Sequence, residues 1–430
     1  MKDKIILQIT TLIILLLLIK CRLNKKCKDK KCKDKKYKDK KCKDEKCKDI
    51  KYICNTVNSL KDNCNKYAIT KNIINNVIIE NDISSSIFSG YTPLQIRTAY
   101  NIPTYTARTN KRCTVTIIIA FTYPKLQEDF NTFCVKFRLP YQKLNIITLG
   151  SIQNEGWALE ECLDVQMAYL ANPNAQITVI EAASNSYTDL NNAIKYANNL
   201  PTTQIISMSW GSNEYFGQNS NDIYFSNTKI CYCASSGDTN YVSYPASSPN
   251  VLAIGGSTLI LDNNSNRKTE TTWNYAGCGR SLYTRIPSYQ SGCKNITGQN
   301  RIIPDISCIA NPDYGVIIYY KGQYYRVGGT SVSAPLMAGI LSIANQMRFD
   351  SGKGALTSVA TSTNNMIQKY IYKNLYNTSF TNNASSLYKN NFYDITIGTD
   401  GIFNATTNYD FATGLGAPKC VSLLNVLINA

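Results

Sequence analysis

Apolar and polar positions divide this chain sharply before any residue chemistry is considered. Ile5 to Ile19 is an apolar run broken only by Gln8, Thr10 and Thr11, with Lys2 and Lys4 ahead of it. At about 1.5 Å rise per residue it is short for a bilayer span and matches a signal-peptide core. The next residues, Lys20, Cys21 and Arg22, offer no small-residue cleavage site, so residues 1–24 read as a signal peptide or an uncleaved signal anchor. Hydrophobic positions then almost disappear. The repeat Lys-Lys-Cys-Lys-Asp keeps Cys27, Cys32, Cys42 and Cys47 in one register, with Tyr37 replacing cysteine once. A lysine-dense tract of this kind cannot bury enough surface to fold alone, so residues 25–88 are expected to be a disordered basic segment and linker. Its five-residue spacing differs from paired C-x2-C zinc ligands and suits a solvated spacer or a basic arm touching anionic lipid.

From Tyr91 onward the pattern becomes globular, and residues 89–430 read as one folded domain. Thr92-Pro93-Leu94-Gln95-Ile96-Arg97-Thr98-Ala99-Tyr100 predicts a short helix with proline in its first turn. The β-branched run from Thr114 to Phe121 predicts a buried strand. Further strands are expected at Ile177–Ile180, Gln204–Trp210, Lys229–Ala234, Val251–Ile254 and Val316–Tyr320. Helix-period segments at 158–170, 188–199 and 333–347 separate several of them. Strands alternating with helices predict an α/β fold, a mostly parallel sheet with helices on both faces, whose sites form beyond the carboxyl ends of the strands.

The formal charge of +17 suggests a nucleic-acid or membrane partner only until it is localised. Residues 1–66 hold 21 Lys+Arg against 8 Asp+Glu, which leaves +4 for the remaining 364 residues. The globular part therefore carries no nucleic-acid signature, and membrane contact is confined to the apolar run and the basic repeat. Seven of the 16 cysteines fall at or before Cys64; the other nine are an odd number, so some disulfides are expected and at least one unpaired thiol. The sequons at Asn263, Asn295, Asn377, Asn383 and Asn404 would accept glycans on an exported chain.

Candidate chemistry begins at Gly328-Gly329-Thr330-Ser331-Val332-Ser333-Ala334-Pro335, followed by an apolar helical run. The glycines permit a tight turn and place Ser331 at a helix N-terminus, where free amides and the helix dipole favour developing negative charge. The serine reads either as a nucleophile or as a simple cap. The chain has no histidine, so every Ser-His-Asp arrangement is excluded and, if Ser331 is catalytic, a carboxylate must activate it. Glu160 and Asp164, four apart on the predicted helix 158–170, project as neighbours. They read as a proton-sharing acid/base pair or as a solvated acidic face. Ser235-Ser236-Gly237-Asp238 follows a strand, and Asp238 reads as a turn former, a metal ligand or, if protonated, a hydrogen-bond donor to an oxyanion.

Taken together in chain order, these segments resemble the sedolisin family of serine-carboxyl peptidases, which includes the tripeptidyl-peptidase of lysosomes. The likeness runs from about Tyr91 to Lys419. It rests on Thr92-Pro93-x-Gln95-Ile96-Arg97, Glu160-x-x-x-Asp164-Val165-Gln166, Ser207-x-Ser209-Trp210-Gly211-x-x-Glu214, Ser236-Gly237-Asp238, Pro304-Asp305-Ile306-Ser307 and Gly329-Thr330-Ser331-x-Ser333-x-Pro335. The resemblance implies a subtilisin-like fold and an endopeptidase or tripeptidyl peptidase acting on peptide or protein substrates. Ser331 would be the nucleophile, Glu160 its base, Asp164 the partner of Glu160, and Asp238 the oxyanion donor. It also implies one Ca²⁺, held by the carboxylates of Asp394 and Asp410 and by backbone carbonyls of Ile395, Thr406 and Asn408; Thr406 and Asn408 stand where relatives usually have glycine. A monomer, secreted, lumenal in an acidic compartment or membrane-anchored, is expected. The competing class is a catalytically silent peptidase fold that serves as a binding or surface protein.

Overall fold

A computed structural model describes residues 78–80, 88–361, 365–378 and 386–430. The signal-like run, the lysine and cysteine repeat and the sequon at Asn383 lie outside the described residues. Among the described residues, no helix is long and apolar enough to cross a membrane.

The centre is an eight-stranded sheet. In chain order its strands are β1 (Thr114–Ala120), β2 (Asn145–Thr148), β3 (Gln176–Ala182), β4 (Ile205–Met208), β5 (Cys231–Ser235), β6 (Val251–Leu261), β7 (Arg267–Thr272) and β8 (Ile306–Ile309). The spatial order is β7-β6-β5-β4-β1-β3-β2, with β8 also paired to β6. Every pairing is parallel except that of β7 with β6. A sheet covered on both faces needs strands apolar on both, and β1, β4 and β5 are buried along their whole length.

The short α1 (Pro93–Ala99) follows the expected proline entry, with Thr92 and Gln95 forming a capping box. The sheet's other partners are α2 (Leu126–Phe137), α3 (Glu155–Ala171), α4 (Tyr187–Asn199) and α5 (Thr330–Asp350). Val316–Tyr320 is a strand as expected, but it joins an antiparallel hairpin with Gln323–Val327 rather than the parallel sheet. Ile78–Glu80 adds to the outer edge of that hairpin.

Two helices position the site. α3 is buried on every side from Trp157 to Ala171, so Glu160, Glu161 and Asp164 face the interior and the reading of a solvated acidic face is corrected. The reason is α5, which lies directly against it. A Cβ on Gly339 of α5 would fall 2.4 Å from the Ala168 carbonyl oxygen of α3, so only glycine allows this approach. The nine cysteines from Cys113 to Cys420 are buried free thiols that behave as small apolar side chains, so the expected disulfides are not formed among them.

Candidate active site

The N-terminus of α5 is built by its own motif. Gly329 has φ 103°, a conformation side chains resist, and a Cβ there would meet Asp238 Oδ2 at 2.7 Å. The Gly329 N–H donates to the Ala310 carbonyl at 2.6 Å, closing the turn. Gly329, not Ser331, is the cap residue; Ser331 is the second residue of the helix, so the capping role is excluded. Ser333 donates to the carbonyls of Cys308 and Ile309 at 3.1 and 2.9 Å and fastens the first turn to β8. Pro335 has no N–H for the carbonyl four residues back, that of Ser331. The Ser209 hydroxyl reaches that carbonyl instead, at 3.4 Å.

Ser331 is 5% exposed, and Glu160 and Asp164 are fully buried. The Ser331 hydroxyl lies near enough to the Glu160 carboxyl to lower its proton affinity, but among the described residues neither Glu160 oxygen has a hydrogen-bond partner. Ser209, just beyond the carboxyl end of β4, donates to Asp164 Oδ1 at 2.6 Å. Burial pushes the Glu160 carboxyl well above the ordinary carboxylate range, and the nearby Asp164 and Asp238 charges add to this while the Ser331 hydroxyl opposes it. Burial likewise raises Asp164 well above its ordinary value, with the Ser209 hydrogen bond working against it. Both carboxyls therefore hold their protons more tightly than they would in water.

Asp238 sits in the loop after β5 and closes the other side. Its Oδ1 accepts from the Thr330 N–H at 2.8 Å and from the Thr330 hydroxyl at 2.7 Å. That hydroxyl also accepts from the Gly237 N–H at 3.1 Å. Asp238 is thereby fixed to the residue preceding Ser331, and the turn-former reading gives way to a carboxyl clamped across the helix entrance. The four residues Glu160, Asp164, Asp238 and Ser331 come together from three separate elements.

Sequence reasoning assigned no role to Ser209, although it belongs to the quoted Ser207-x-Ser209-Trp210 segment. Thr330 was likewise unassigned, and its signal was its place beside Ser331. Glu161 and Glu181 were missed entirely; both are buried, and nothing in their local pattern marks them.

The expected calcium residues are at the far end of the chain. Asp394 Oδ2 accepts from the Asn408 N–H at 2.8 Å, and Asp410 Oδ2 accepts from the Thr406 N–H at 3.1 Å. Asn408 has φ 69°, a left-handed conformation that asparagine tolerates better than most side chains. Burial raises Asp394 and pushes Asp410 up to about 7. No salt bridge among the described residues involves either carboxylate. The Lys389 charge acts on Asp394, and the two carboxylates also accept from the Tyr388 hydroxyl and from the Ala412 and Thr413 N–H groups. Their oxygens are of the hard type Ca²⁺ takes, but among the described residues no cluster of three acidic, cysteine or histidine side chains forms there. Thr406 and Asn408 present amides to these carboxylates; their carbonyls and that of Ile395 are the donors the resemblance adds.

The model of the subtilase family matches residues 168–401, more than half of the chain, which includes Asp238 and Ser331 but begins after Glu160 and Asp164. Sedolisin from Pseudomonas sp. (strain 101) is 31% identical over 198 residues, 42% of this chain and 29% of the relative. Kumamolisin from Bacillus sp. (strain MN-32) is 29% identical over 304 residues, 62% of this chain and 50% of the relative. Tripeptidyl-peptidase 1 of Dictyostelium discoideum is 25% identical over 340 residues, 68% of this chain and 50% of the relative. The chain thus spans half or less of the length of these curated relatives. Among solved structures, Pseudomonas sedolisin, a serine-carboxyl proteinase complexed with two molecules of pseudo-iodotyrostatin, matches with a TM-score of 0.65. That match has 24% identity and covers 79% of this chain and 98% of the other, which establishes the shared fold. The chain belongs to the subtilase family, and within it resembles the sedolisins and tripeptidyl-peptidases.

Proposed function

We propose that the chain is a serine-carboxyl peptidase that hydrolyses peptide bonds with Ser331, Glu160, Asp164 and Asp238. The observation that carries this reading is the fully buried Glu160 carboxyl, unpartnered among the described residues, beside the Ser331 hydroxyl in a protein without histidine. Glu160 takes the proton of Ser331 as its oxygen attacks the substrate carbonyl, and returns it to the leaving amine. Asp164 shares the proton of the pair and keeps Glu160 oriented, itself held by Ser209. Asp238, protonated, donates to the oxyanion of the tetrahedral intermediate while Thr330 fixes its other oxygen. Such chemistry needs protons already present on buried carboxyls, so it belongs to acid conditions, in keeping with export or a lumenal compartment.

The test is hydrolysis of a quenched-fluorescent peptide library by the full chain from acid to neutral pH. Acid-favoured cleavage is expected, and the product ends separate tripeptide release from internal cutting. Well-folded protein that cleaves nothing would instead support a silent fold that binds peptides. Replacing Asp238 by asparagine keeps a hydrogen-bond donor that does not titrate. Part of the activity should survive, with its alkaline limb moved upward; an unchanged pH profile removes Asp238 from the titration.

We further propose that Asp394, Asp410 and the carbonyls of Ile395, Thr406 and Asn408 hold one Ca²⁺ that braces the C-terminal loop. Bound to the folded state alone, the ion stabilises by mass action, about 2.7 kcal/mol at a hundred times its dissociation constant. EDTA should lower the melting temperature and added Ca²⁺ restore it. A melting temperature indifferent to both removes the site.

A further inference from the structure

A second pair of buried carboxyls lies behind the first. Glu161 and Glu181 are 1% and 2% exposed, and the Glu161 carboxyl is within hydrogen-bonding reach of that of Glu181. Glu181, near the carboxyl end of β3, is already supplied with donors. Its Oε1 accepts from the Tyr123 N–H at 2.9 Å and its Oε2 from the Thr148 hydroxyl at 2.5 Å. Glu161 Oε1 has no donor among the described residues. Both Glu181 oxygens already accept hydrogen bonds, so a hydrogen bond between the two carboxyls has Glu161 as its donor.

The surroundings agree. Asp164 stands one helical turn on from Glu161 and adds negative charge. Cys162 contacts Asp129, whose carboxylate also accepts from the Tyr123 hydroxyl and the Lys321 N–H. The Lys321 ammonium is engaged with Glu155, and no salt bridge among the described residues reaches Glu161 or Glu181. With no cation at hand, only a proton compensates this pair.

We propose that Glu161 is a positioning residue for the catalytic pair, donating a proton to the Glu181 carboxylate and so fixing the rotation of α3 that presents Glu160 to Ser331. It follows Glu160 directly, about 100° further round the helix, so a hydrogen bond at Glu161 sets the direction of Glu160. The proposal rests on the catalytic reading of Glu160 and adds a pH range to it. Burial first, and then the Glu181 charge, raise the Glu161 carboxyl well above its ordinary value. Its contribution to stability is therefore complete below the ordinary carboxylate range and is lost as pH rises through the raised value.

The experiment uses Glu161→Gln, whose amide keeps the hydrogen bond without a proton to lose, and Glu161→Ala, which removes it. Cleavage is read as kcat and KM across pH. Thermal unfolding is read in a Ser331→Ala background, where it does not depend on activity. The expected result is that Glu161→Gln stays within about threefold of the parent in acid and loses less stability between about pH 5 and 8. Glu161→Ala should lose about tenfold in kcat with little change in KM. Glu181→Gln removes the charge from the other side and should flatten the pH dependence of stability in the same way; it serves where Glu161→Gln yields no folded protein. Parallel loss of stability in variant and parent overturns the proposal, as does a Glu161→Ala enzyme equal to the parent. So does failure of both glutamine variants to fold in acid, since either preserves the contact. If no form cleaves peptide, the peptidase reading fails while the unfolding data still decide the Glu161–Glu181 pair.

Discussion

Ser331→Ala and Glu160→Gln should each reduce kcat/KM for peptide cleavage by about 10⁴-fold or more, and the double variant should be no worse than either single one. Nucleophile and base act as one unit. Without the hydroxyl there is nothing to activate, and an amide at position 160 cannot accept the proton. Asp164→Asn should lose less, since it removes the shared proton but leaves an acceptor for Ser209, which donates to Asp164 at 2.6 Å. Kinetics on a single cleaved peptide check the series, with circular dichroism confirming the fold. Substantial activity in Glu160→Gln would sink the assignment of the base. The pH dependence has a definite sign. Burial raises both carboxyls in the folded protein, so it binds their protons more tightly than the unfolded chain does. Their stabilising contribution is complete below about pH 4 and is lost as pH rises through the raised values. Stability and cleavage should decline together toward neutral pH.

The largest effect on stability is expected at Arg301, far from any chemistry. Arg301 and Asp305 are both fully buried, with Nη2 2.8 Å from Oδ2. The guanidinium also donates to the Tyr289 hydroxyl at 2.6 Å and the Val251 carbonyl at 2.9 Å. Asp305 in turn accepts from the Tyr372 hydroxyl and the Ala253 N–H, both at 2.8 Å. The pair therefore joins β6 to the segment leading into β8, on which Ser333 anchors α5. Arg301→Met removes the cation and leaves Asp305 buried beside donors but without its counter-charge. A cost of about 3–5 kcal/mol is expected, read as a fall in the urea midpoint at unchanged slope. A loss below about 1 kcal/mol would overturn the view that the buried ion pair holds these segments together. Replacing both residues by apolar ones should recover part of the loss, because the penalty comes from the orphaned charge more than from the absent bond.

Both expectations rest on partners the linear chain shows unevenly. Alternating apolar runs and helix-period segments in this sequence are enough to predict the parallel sheet with its flanking helices. The glycine pair before Thr330 is enough to place Ser331 at a helix start, since those constraints act over a few residues. The missing histidine alone rules out the usual base. Spacing places Glu160 and Asp164 on one helix face, but whether that face meets water or protein depends on a contact 171 residues away, Gly339 against Ala168. That close approach helps bury Glu160 and Asp164, and burial raises their carboxyls, which is the condition for the acid/base role proposed for them. Asp238 becomes more than a turn residue only because the strand order sets it against Thr330, 92 residues on. Glu161 and Glu181 gain their meaning the same way, from a helix and a strand brought together across the sheet. Local periodicity and stereochemistry are written along the chain, whereas burial and mutual charge arise only where distant segments pack, and the proton affinities of this site follow from those two.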